Sequence, residues 1–118
     1  MVTYMNDILS HLPFREPTFF IMVSLSPGPK HGYAILKKVE SLSEGRVKLS
    51  TGTLYGAIKR LLGQGWIRRV DDPIPNGAGR ERKSYDLTEL GRRVLNAEIA
   101  RLQKLVSVAR IQTAEETL

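Results

Sequence analysis

The chain has 118 residues, of which 42% are hydrophobic and 25% charged, a composition typical of one soluble globular domain rather than a disordered or fibrous protein. It contains no cysteine, which excludes disulfides, cysteine nucleophiles and cysteine-based zinc sites and predicts a reducing, cytoplasmic location. The longest apolar run, Phe19 to Val23, is too short to cross a bilayer, and the N-terminus lacks the basic cluster of a signal peptide, so we expect no membrane association.

The positive charge is concentrated in one part of the chain. The formal net charge is +6, and the segment from residue 46 to residue 85 holds nine basic and three acidic residues, so this segment carries the whole excess. A merely solvated face explains scattered lysines, whereas an arginine-rich cluster is typical of nucleic-acid binding. A membrane-surface helix is disfavoured because the segment lacks a sustained apolar helix face.

Three helices are predicted in the first part of the chain. Apolar residues three and four positions apart predict a short amphipathic helix over residues 1–12. A buried helix over residues 18–25 follows and ends at the breaker Ser26-Pro27-Gly28-Pro29. A second core helix begins at His31 and ends near Gly45.

A short strand and a third core helix come next. Arg46 to Leu49 alternates between polar and apolar residues and predicts a small strand. Ser50 or Thr51 is suited to cap the following helix, because a hydroxyl oxygen accepts a hydrogen bond from an unpaired N–H group. This helix runs to Gln64, and Gly65 is expected to form its left-handed C-terminal cap.

A hairpin and a long helix complete the chain. The segments Trp66 to Val70 and Arg80 to Leu87 predict two strands joined by a loop rich in proline and glycine. Thr88 is expected to cap a final helix that runs to about Gln112, roughly 36 Å at 1.5 Å per residue.

This order of elements is that of a winged helix-turn-helix, so the predicted fold class is mainly α with a small β wing. Residues 1–87 form the expected DNA-binding domain, and residues 88–118 form a C-terminal dimerisation helix. The third helix would place its polar face in the major groove, and the wing cations would contact phosphates or the minor groove. For Tyr55, a partly buried surface aromatic is an equally good interpretation. The residues expected to contact DNA are Ser50, Thr51, Thr53, Tyr55, Lys59 and Arg60 on the helix and Arg80, Arg82 and Lys83 on the wing.

The apolar seam of the final helix predicts a homodimer. Its residues follow one another at intervals of four and three, and one small domain offers little surface to cover them. Packing back onto the core of the same chain is the alternative. A two-fold dimer would present its recognition helices about one DNA turn, or a multiple of it, apart. The residues expected in this interface are Met5, Leu9, Leu12, Leu95, Ile99, Leu102, Val106 and Ala109.

Several short motifs together resemble the PadR family of transcriptional regulators. They are His31-Gly32-Tyr33, Thr53-Leu54-Tyr55 with Leu61-Leu62, Gly65-Trp66-Ile67, and the run from Arg82 to Gly91. Each is weak alone, but their order and spacing are specific. The resemblance implies a winged-helix homodimer that binds an inverted-repeat operator in double-stranded DNA, usually as a repressor. It places Tyr55 and Lys59 on the DNA-reading helix and Gly79 to Lys83 in the wing.

The resemblance also implies that a small-molecule effector often releases the DNA. In small family members that have such a pocket, the pocket resembles a slot between the two C-terminal helices. A planar ligand in this slot requires aromatic side chains. Residues 88–118 contain no tryptophan, tyrosine or phenylalanine, so the sequence indicates no particular effector. Longer members carry several C-terminal helices, whereas a single predicted helix here indicates the short form.

Other function classes find less support in the sequence. Two histidines on separate segments, without cysteine or a carboxylate pair, offer no catalytic constellation, so we expect neither an enzyme nor a cofactor or metal site. His31 is expected to cap or pack a helix, Gly32 to allow close packing, and Tyr33 to fill the core edge. A winged-helix protein-interaction or architectural module stays open, although it would not need a basic wing. RNA binding lacks exposed aromatics in series.

Overall fold

The protein is described from a computed structural model that covers residues 8–71 and 83–117. The predicted fold class, mainly α with a small β wing and a long C-terminal helix, is confirmed. Of the helix predicted over residues 1–12, residues 8–10 form a helical turn, His11 and Leu12 are not helical, and residues 1–7, including Met5, lie outside the described residues. The elements that follow are α1 (Glu16–Leu25), β1 (Lys30–His31), α2 (Gly32–Leu42), α3 (Thr51–Gly63), β2 (Ile67–Asp71), β3 (Lys83–Leu87) and α4 (Glu89–Thr117).

Helix α1 is the most deeply buried element of the domain. The side chains of Ile21, Met22 and Leu25 are fully buried, as its apolar sequence predicts. The helix begins two residues before the predicted start because Pro17 lies in its first turn, where the missing N–H group has no helical partner to lose.

The sheet has three antiparallel strands in the order β1-β3-β2. In it, His31 pairs with Ser84, and Ile67 pairs with Leu87. The predicted strand over Arg46 to Leu49 is wrong, because Lys30 and His31 supply the third strand instead.

The segment after α2 is held by a side chain rather than by a sheet. The backbone N–H of Val47 donates to Ser43 Oγ at 2.9 Å, so this amide is satisfied without a neighbouring strand. Val47 and Leu49 pack against the core. The alternation in this segment therefore reflects burial of every second side chain and not strand pairing.

Local capping contacts fix both ends of α3. At its start, Ser50 Oγ accepts a hydrogen bond from the Thr53 N–H at 3.1 Å, which confirms Ser50 as the cap. At its end, Gly65 has φ 75°, and the Trp66 N–H donates to Leu61 O at 3.1 Å, a Schellman motif that confirms the predicted left-handed cap.

The start of α4 is hydrogen-bonded to Gly65, the residue that caps the end of α3. Thr88 Oγ1 donates to Gly65 O at 2.6 Å and accepts from the Gly91 N–H at 2.9 Å, which confirms Thr88 as the helix cap. Gly91 lies against the backbone carbonyl of Trp66 so closely that no Cβ fits there. The hairpin and α4 are thereby joined at one rigid corner.

Only the first part of α4 belongs to the core. Val94 is buried, and Leu95 is 3% exposed, packed inside the core of the domain. The assignment of Leu95 to a dimer interface is therefore wrong, because the domain itself covers this residue. The helix then leaves the domain, so that residues 103–114 are exposed. In the described part of the chain, no helix combines the length and apolar character needed to cross a membrane.

Candidate nucleic-acid interface

The outermost line of α3 is formed by residues with almost no side chain. At 3.6 residues per turn, Gly52, Gly56 and Gly63 lie on the side opposite the buried Leu54 and Ile58. A Cβ at any of these three glycines would meet no atom within 4 Å, so the domain itself does not require glycine there. The backbone of α3 is thus open to close approach by a partner surface.

Hydroxyl and amino groups flank this line of glycines. Thr51, Thr53 and Lys59 are exposed, as predicted for the reading face. The hydroxyl of Ser50 caps the helix and donates to Thr53 Oγ1 at 2.8 Å. Because Thr53 Oγ1 accepts this bond, its own hydrogen can point outward and donate to an acceptor on a base edge.

Tyr55 lies at one border of the exposed face. The side chain is 45% exposed, and its hydroxyl oxygen rests on Gly32 at the start of α2. Gly32 is needed for this contact, which confirms that it allows close packing. Burial raises the pKa of the neighbouring Tyr85, the charge of Tyr55 adds to this rise, and Arg69 opposes it. Tyr55 therefore combines a structural contact with an accessible ring.

Arg60 points toward a different part of the domain from Lys59. Its Nη2 donates to Thr18 Oγ1 of α1 at 3.1 Å. Although Arg60 lies on the same flank of α3 as Thr53, two turns further along, its guanidinium group is held beside α1. The structure leaves Thr51, Thr53, Tyr55 and Lys59 exposed around α3, whereas the guanidinium group of Arg60 is held against α1.

The first turn of α2 adds groups that the sequence analysis missed. Tyr33 is 68% exposed, so the expectation that it fills the core edge is wrong. Lys37 Nζ lies 5.5 Å from the centre of the Tyr33 ring, one helical turn away. Of these two residues, Tyr33 directly follows Gly32, the residue that Tyr55 contacts, and Lys37 lies one turn further along the exposed side of α2. Their spacing of four residues was the available signal, since it puts both on one helix face.

His31 has a structural position in the sheet. It is the N-cap residue of α2, and its Nδ1 lies 3.0 Å from Ser84 Oγ across the β1–β3 pair. This confirms the expected packing role, whereas the side chain of His31 forms no capping hydrogen bond to α2. Among the described residues, 8–71 and 83–117, no group of three histidine, aspartate or glutamate side chains lies close enough together to bind a metal ion.

The wing is described in part. Lys83 is exposed at the start of β3, at the end of the hairpin that leads to the loop. On β2, Arg68 Nη2 lies 3.5 Å from Asp86 Oδ2 of β3, a pair that aligns the two strands. Gly79, Arg80 and Arg82 lie outside the described residues.

Beyond the domain, α4 exposes an apolar face. Leu105, Val106, Val108 and Ile111 are between 51% and 60% exposed. Val106 and Ile111 line an open groove of about 630 Å³ that has Phe19 of α1 on its other side, whereas Leu105 and Val108 lie on the opposite side of α4. Of the remaining predicted interface residues, Ile99 and Leu102 are half-buried in the groove, Leu12 packs on the core, and Leu9 and Ala109 are exposed.

A buried ion pair fixes the base of α4. Glu98 is 2% exposed; its Oε2 accepts from the Phe14 N–H at 2.8 Å, and its two oxygens accept from Arg101 at 2.6 and 3.0 Å. The hydrogen bond from Arg101 lowers the pKa of Glu98, burial opposes this, and the Phe14 N–H lowers it further. The sequence signal was a glutamate within the apolar seam, between Leu95 and Leu102.

Comparison with known proteins identifies the family. The profile of the "Transcriptional regulator PadR-like family" matches residues 21–97, from α1 through the first turns of α4. The chain belongs to this PadR-like family. The match confirms the resemblance carried by the short motifs and extends it to α1.

Relatives of this PadR-like chain include one curated protein and many solved structures. An uncharacterized 37.1 kDa transposon protein of Streptomyces fradiae is 35% identical over 91 residues, 77% of this chain. The chain spans only 24% of the length of that relative.

The similar solved structures share the fold of this chain over most of its length. A PadR family transcription regulator of Clostridium difficile matches with a TM-score of 0.69 at 23% identity, over 84% of this chain and 99% of that one. A regulator of Eggerthella lenta matches with a TM-score of 0.60 at 29% identity, over 95% and 97% of the two chains. PadR of Bacillus subtilis, solved in complex with operator DNA, matches with a TM-score of 0.63 at 24% identity, over 72% and 47%.

Proposed function

We propose that this PadR-like chain is a sequence-specific DNA-binding transcriptional regulator whose helix α3 reads the major groove. The observation that carries the proposal is the outer face of α3, where a line of glycines is bordered by hydroxyl and amino groups and the helix contains no acidic residue. A groove of DNA admits one helix, and missing side chains let the backbone approach its floor. Thr53 and Lys59 then supply a donor to a base edge and a cation.

Phosphate contacts come from both sides of this face. We assign Arg80, Arg82 and Lys83 of the wing to the phosphates on one side, and Tyr33 with Lys37 to those on the other. Phosphate contacts position the protein without reading sequence, and they make its affinity fall steeply as salt rises, because counterions are released from the DNA on binding.

The proposed active form is a homodimer that binds an inverted-repeat operator and represses transcription. The exposed apolar face of α4 supports this, since a helix protruding from so small a domain has no cover of its own. The operator complex of the Bacillus subtilis relative supports the choice of double-stranded DNA as partner. We place the protein in the cytoplasm, assign it no catalytic activity, and expect any release to come from a small-molecule effector.

Selection from a library of random duplexes tests this function. The purified chain is mixed with the library at moderate salt, and the retained duplexes are sequenced. We expect enrichment of an inverted repeat whose half-sites lie about 10 base pairs, or a multiple of that, apart. Retention without sequence preference would indicate an architectural DNA binder, and no retention at low salt would indicate a protein-interaction module.

A matched pair of variants separates the two kinds of contact. Thr53→Val removes the hydroxyl at nearly constant shape and should change the selected sequence at one position of each half-site. Lys37→Gln should weaken binding to all duplexes alike and reduce the salt dependence by about one phosphate contact per subunit.

A further inference from the structure

A second cavity lies at the far end of α3, away from the apolar groove of α4. We call it the junction cavity; it has a volume of about 360 Å³. Its walls include His11, Phe14 and Arg15 from the segment before and at the start of α1, and Arg60, Gln64 and Trp66 from the end of α3 and the turn after it. It therefore lies where the N-terminal segment meets the recognition helix.

One wall of the junction cavity is aromatic. The rings of Phe14 and Trp66 are 5.5 Å apart at their centres, and His11 meets the Trp66 ring edge-on at 5.2 Å. Trp66 is itself mostly buried, so the cavity opens onto the side of a fixed ring. Such a wall favours the apolar part of a small ligand.

Two arginines, Arg15 and Arg60, line the same cavity, and no carboxylate among its lining residues balances them. Arg60 donates to the neutral hydroxyl of Thr18 at 3.1 Å, and among the described residues neither Arg60 nor Arg15 forms an ion pair. None of the residues that line the cavity is acidic. A planar guanidinium group pairs well with a carboxylate, so this wall favours an organic anion.

An unpaired acceptor specifies a further feature of the ligand. Gln64 Oε1 is buried, and no hydrogen-bond donor of the described residues reaches it. A buried acceptor without a donor is unfavourable, and a hydroxyl group on the ligand would supply one. We propose that the junction cavity binds a small hydroxycarboxylate, with its carboxylate on Arg15 and Arg60, its hydroxyl on Gln64 and its carbon chain on Trp66.

The position of the cavity connects three parts of the molecule. Arg60 and Gln64 belong to the recognition helix or its cap, whereas Phe14 is bonded through its N–H to Glu98 of α4. An occupied cavity joins the N-terminal segment to the end of α3 and so changes how α3 is held relative to α4. The regulatory consequence, a change in operator affinity, rests on the proposed function; ligand binding itself does not.

The fluorescence of Trp66 tests binding directly, because it is the only tryptophan of the chain. The full-length protein is titrated at constant ionic strength with 3-hydroxybutyrate, butyrate, butyramide and inorganic phosphate. We expect a saturable change with 3-hydroxybutyrate, an affinity about tenfold lower for butyrate, which lacks the hydroxyl, and no saturation with the other two compounds. An equal response to butyramide or to phosphate would overturn the proposal, as would no saturable response to 3-hydroxybutyrate.

Variants separate the cavity from general effects of charge. Gln64→Leu should reduce the affinity for 3-hydroxybutyrate to that for butyrate, and Arg15→Gln should weaken both carboxylates. Lys104→Gln removes one exposed cation of α4, outside the cavity, and should leave both affinities unchanged. Thermal unfolding of each variant shows that it is folded, and Arg15, which is exposed, keeps the test valid if Gln64→Leu does not fold. Wild-type affinity in both cavity variants would contradict the assignment.

A separate titration with operator duplex tests the regulatory consequence. With 3-hydroxybutyrate present at saturation, the dissociation constant for the duplex should change at least threefold in the wild type and remain constant in Arg15→Gln. If the chain binds no DNA at all, the proposed function fails, yet the fluorescence titration still decides whether the cavity binds its ligand.

Discussion

The hydroxyl oxygen of Tyr55 occupies the space that a side chain at Gly32 would need, and this contact joins the recognition helix to the first turn of α2. A glycine is needed at residue 32 for a reason of space, since its backbone conformation is an ordinary helical one. The contact sets the position of the Tyr55 ring at the border of the exposed face.

Substitution of Gly32 by alanine should therefore affect DNA binding more than folding. The new Cβ meets only the far end of a side chain, which can swing away, so we expect the free energy of unfolding to change by less than about 1 kcal/mol. The displaced Tyr55 ring should lower the affinity for the selected operator about tenfold. Chemical denaturation and fluorescence anisotropy with labelled duplex measure the two effects.

A double-mutant cycle with Tyr55→Ala provides the control for Gly32→Ala. Because both changes act through the position of one ring, the loss of affinity in the double variant should equal that of Tyr55→Ala alone. Additive losses would show that Gly32 contributes to DNA binding independently of Tyr55.

Gly56→Ala should make the protein more stable and a weaker DNA binder. Alanine is favoured over glycine inside a helix by about 1 kcal/mol, and nothing within 4 Å opposes its Cβ. On DNA the same methyl group would keep the α3 backbone from the groove floor. Asn96→Ala, at an exposed position of α4 outside the line of glycines, is the control and should leave the operator affinity near that of the wild type.

Gly91→Ala is expected to destabilise the domain severely. The Cβ would collide with the backbone carbonyl of Trp66, which is held by the hydrogen bond from the Thr88 N–H at 3.0 Å. Neither group can move without opening the corner between the hairpin and α4, so we expect a loss of more than about 2 kcal/mol in the free energy of unfolding. Stability comparable to that of Gly63→Ala in urea denaturation would contradict the close approach.

The buried carboxylate of Glu98 should give the protein an acid-sensitive stability. Because Arg101 lowers the pKa of Glu98 in the folded state, its contribution is complete above the unfolded value of about 4.3 and is lost as pH falls through the folded pKa. Glu98→Gln should be less stable at pH 7 and lose less stability between pH 5 and pH 2. The pH dependence of urea denaturation measures both.

Glu89→Gln is the matched control for this pH dependence. Glu89 pairs with Arg93 on the surface of the same helix, where its side chain is 81% exposed and the pair is screened by solvent. We expect this variant to follow the wild type at every pH. A pH profile of Glu98→Gln identical to that of Glu89→Gln would contradict the role of the buried pair.

Charges on the apolar face of α4 should prevent assembly. We expect the wild type to sediment as a dimer and the double variant Val106→Lys, Ile111→Lys to sediment as a folded monomer with much weaker operator binding. Asn96→Lys adds a charge to an exposed position of the same helix and should remain dimeric. Sedimentation equilibrium distinguishes the species, and a monomeric wild type would contradict the proposed dimer.

The features that the sequence predicted correctly depend on neighbouring residues. The caps formed by Ser50, Gly65 and Thr88 rest on hydrogen bonds between residues three to five positions apart in the sequence. The local residue types are therefore enough to specify them. The burial of α1 followed from its almost wholly apolar sequence, and the buried face of α3 followed from apolar periodicity, for the same reason.

Errors arose where partners are distant in sequence. Tertiary contacts decide which segment pairs with β3, and Lys30 and His31 do so rather than Arg46 to Leu49. The N–H of Val47 donates to Ser43 Oγ, so it is satisfied without a neighbouring strand. Periodicity likewise predicts that Leu95 is covered but cannot specify whether its own domain or a partner covers it. The buried position of Glu98 depends on the N–H of a residue 84 positions earlier.

The single continuous helix α4 acts as a lever whose pivot is the buried Glu98 pair. From residue 98 to the last described residue, 117, the helix reaches about 28 Å at 1.5 Å per residue. A tilt of about 10° at the pivot displaces its far end by about 5 Å, more than the 3.4 Å between successive base pairs. Small changes of angle where α4 leaves the domain would therefore alter which spacing of half-sites a pair of subunits can span.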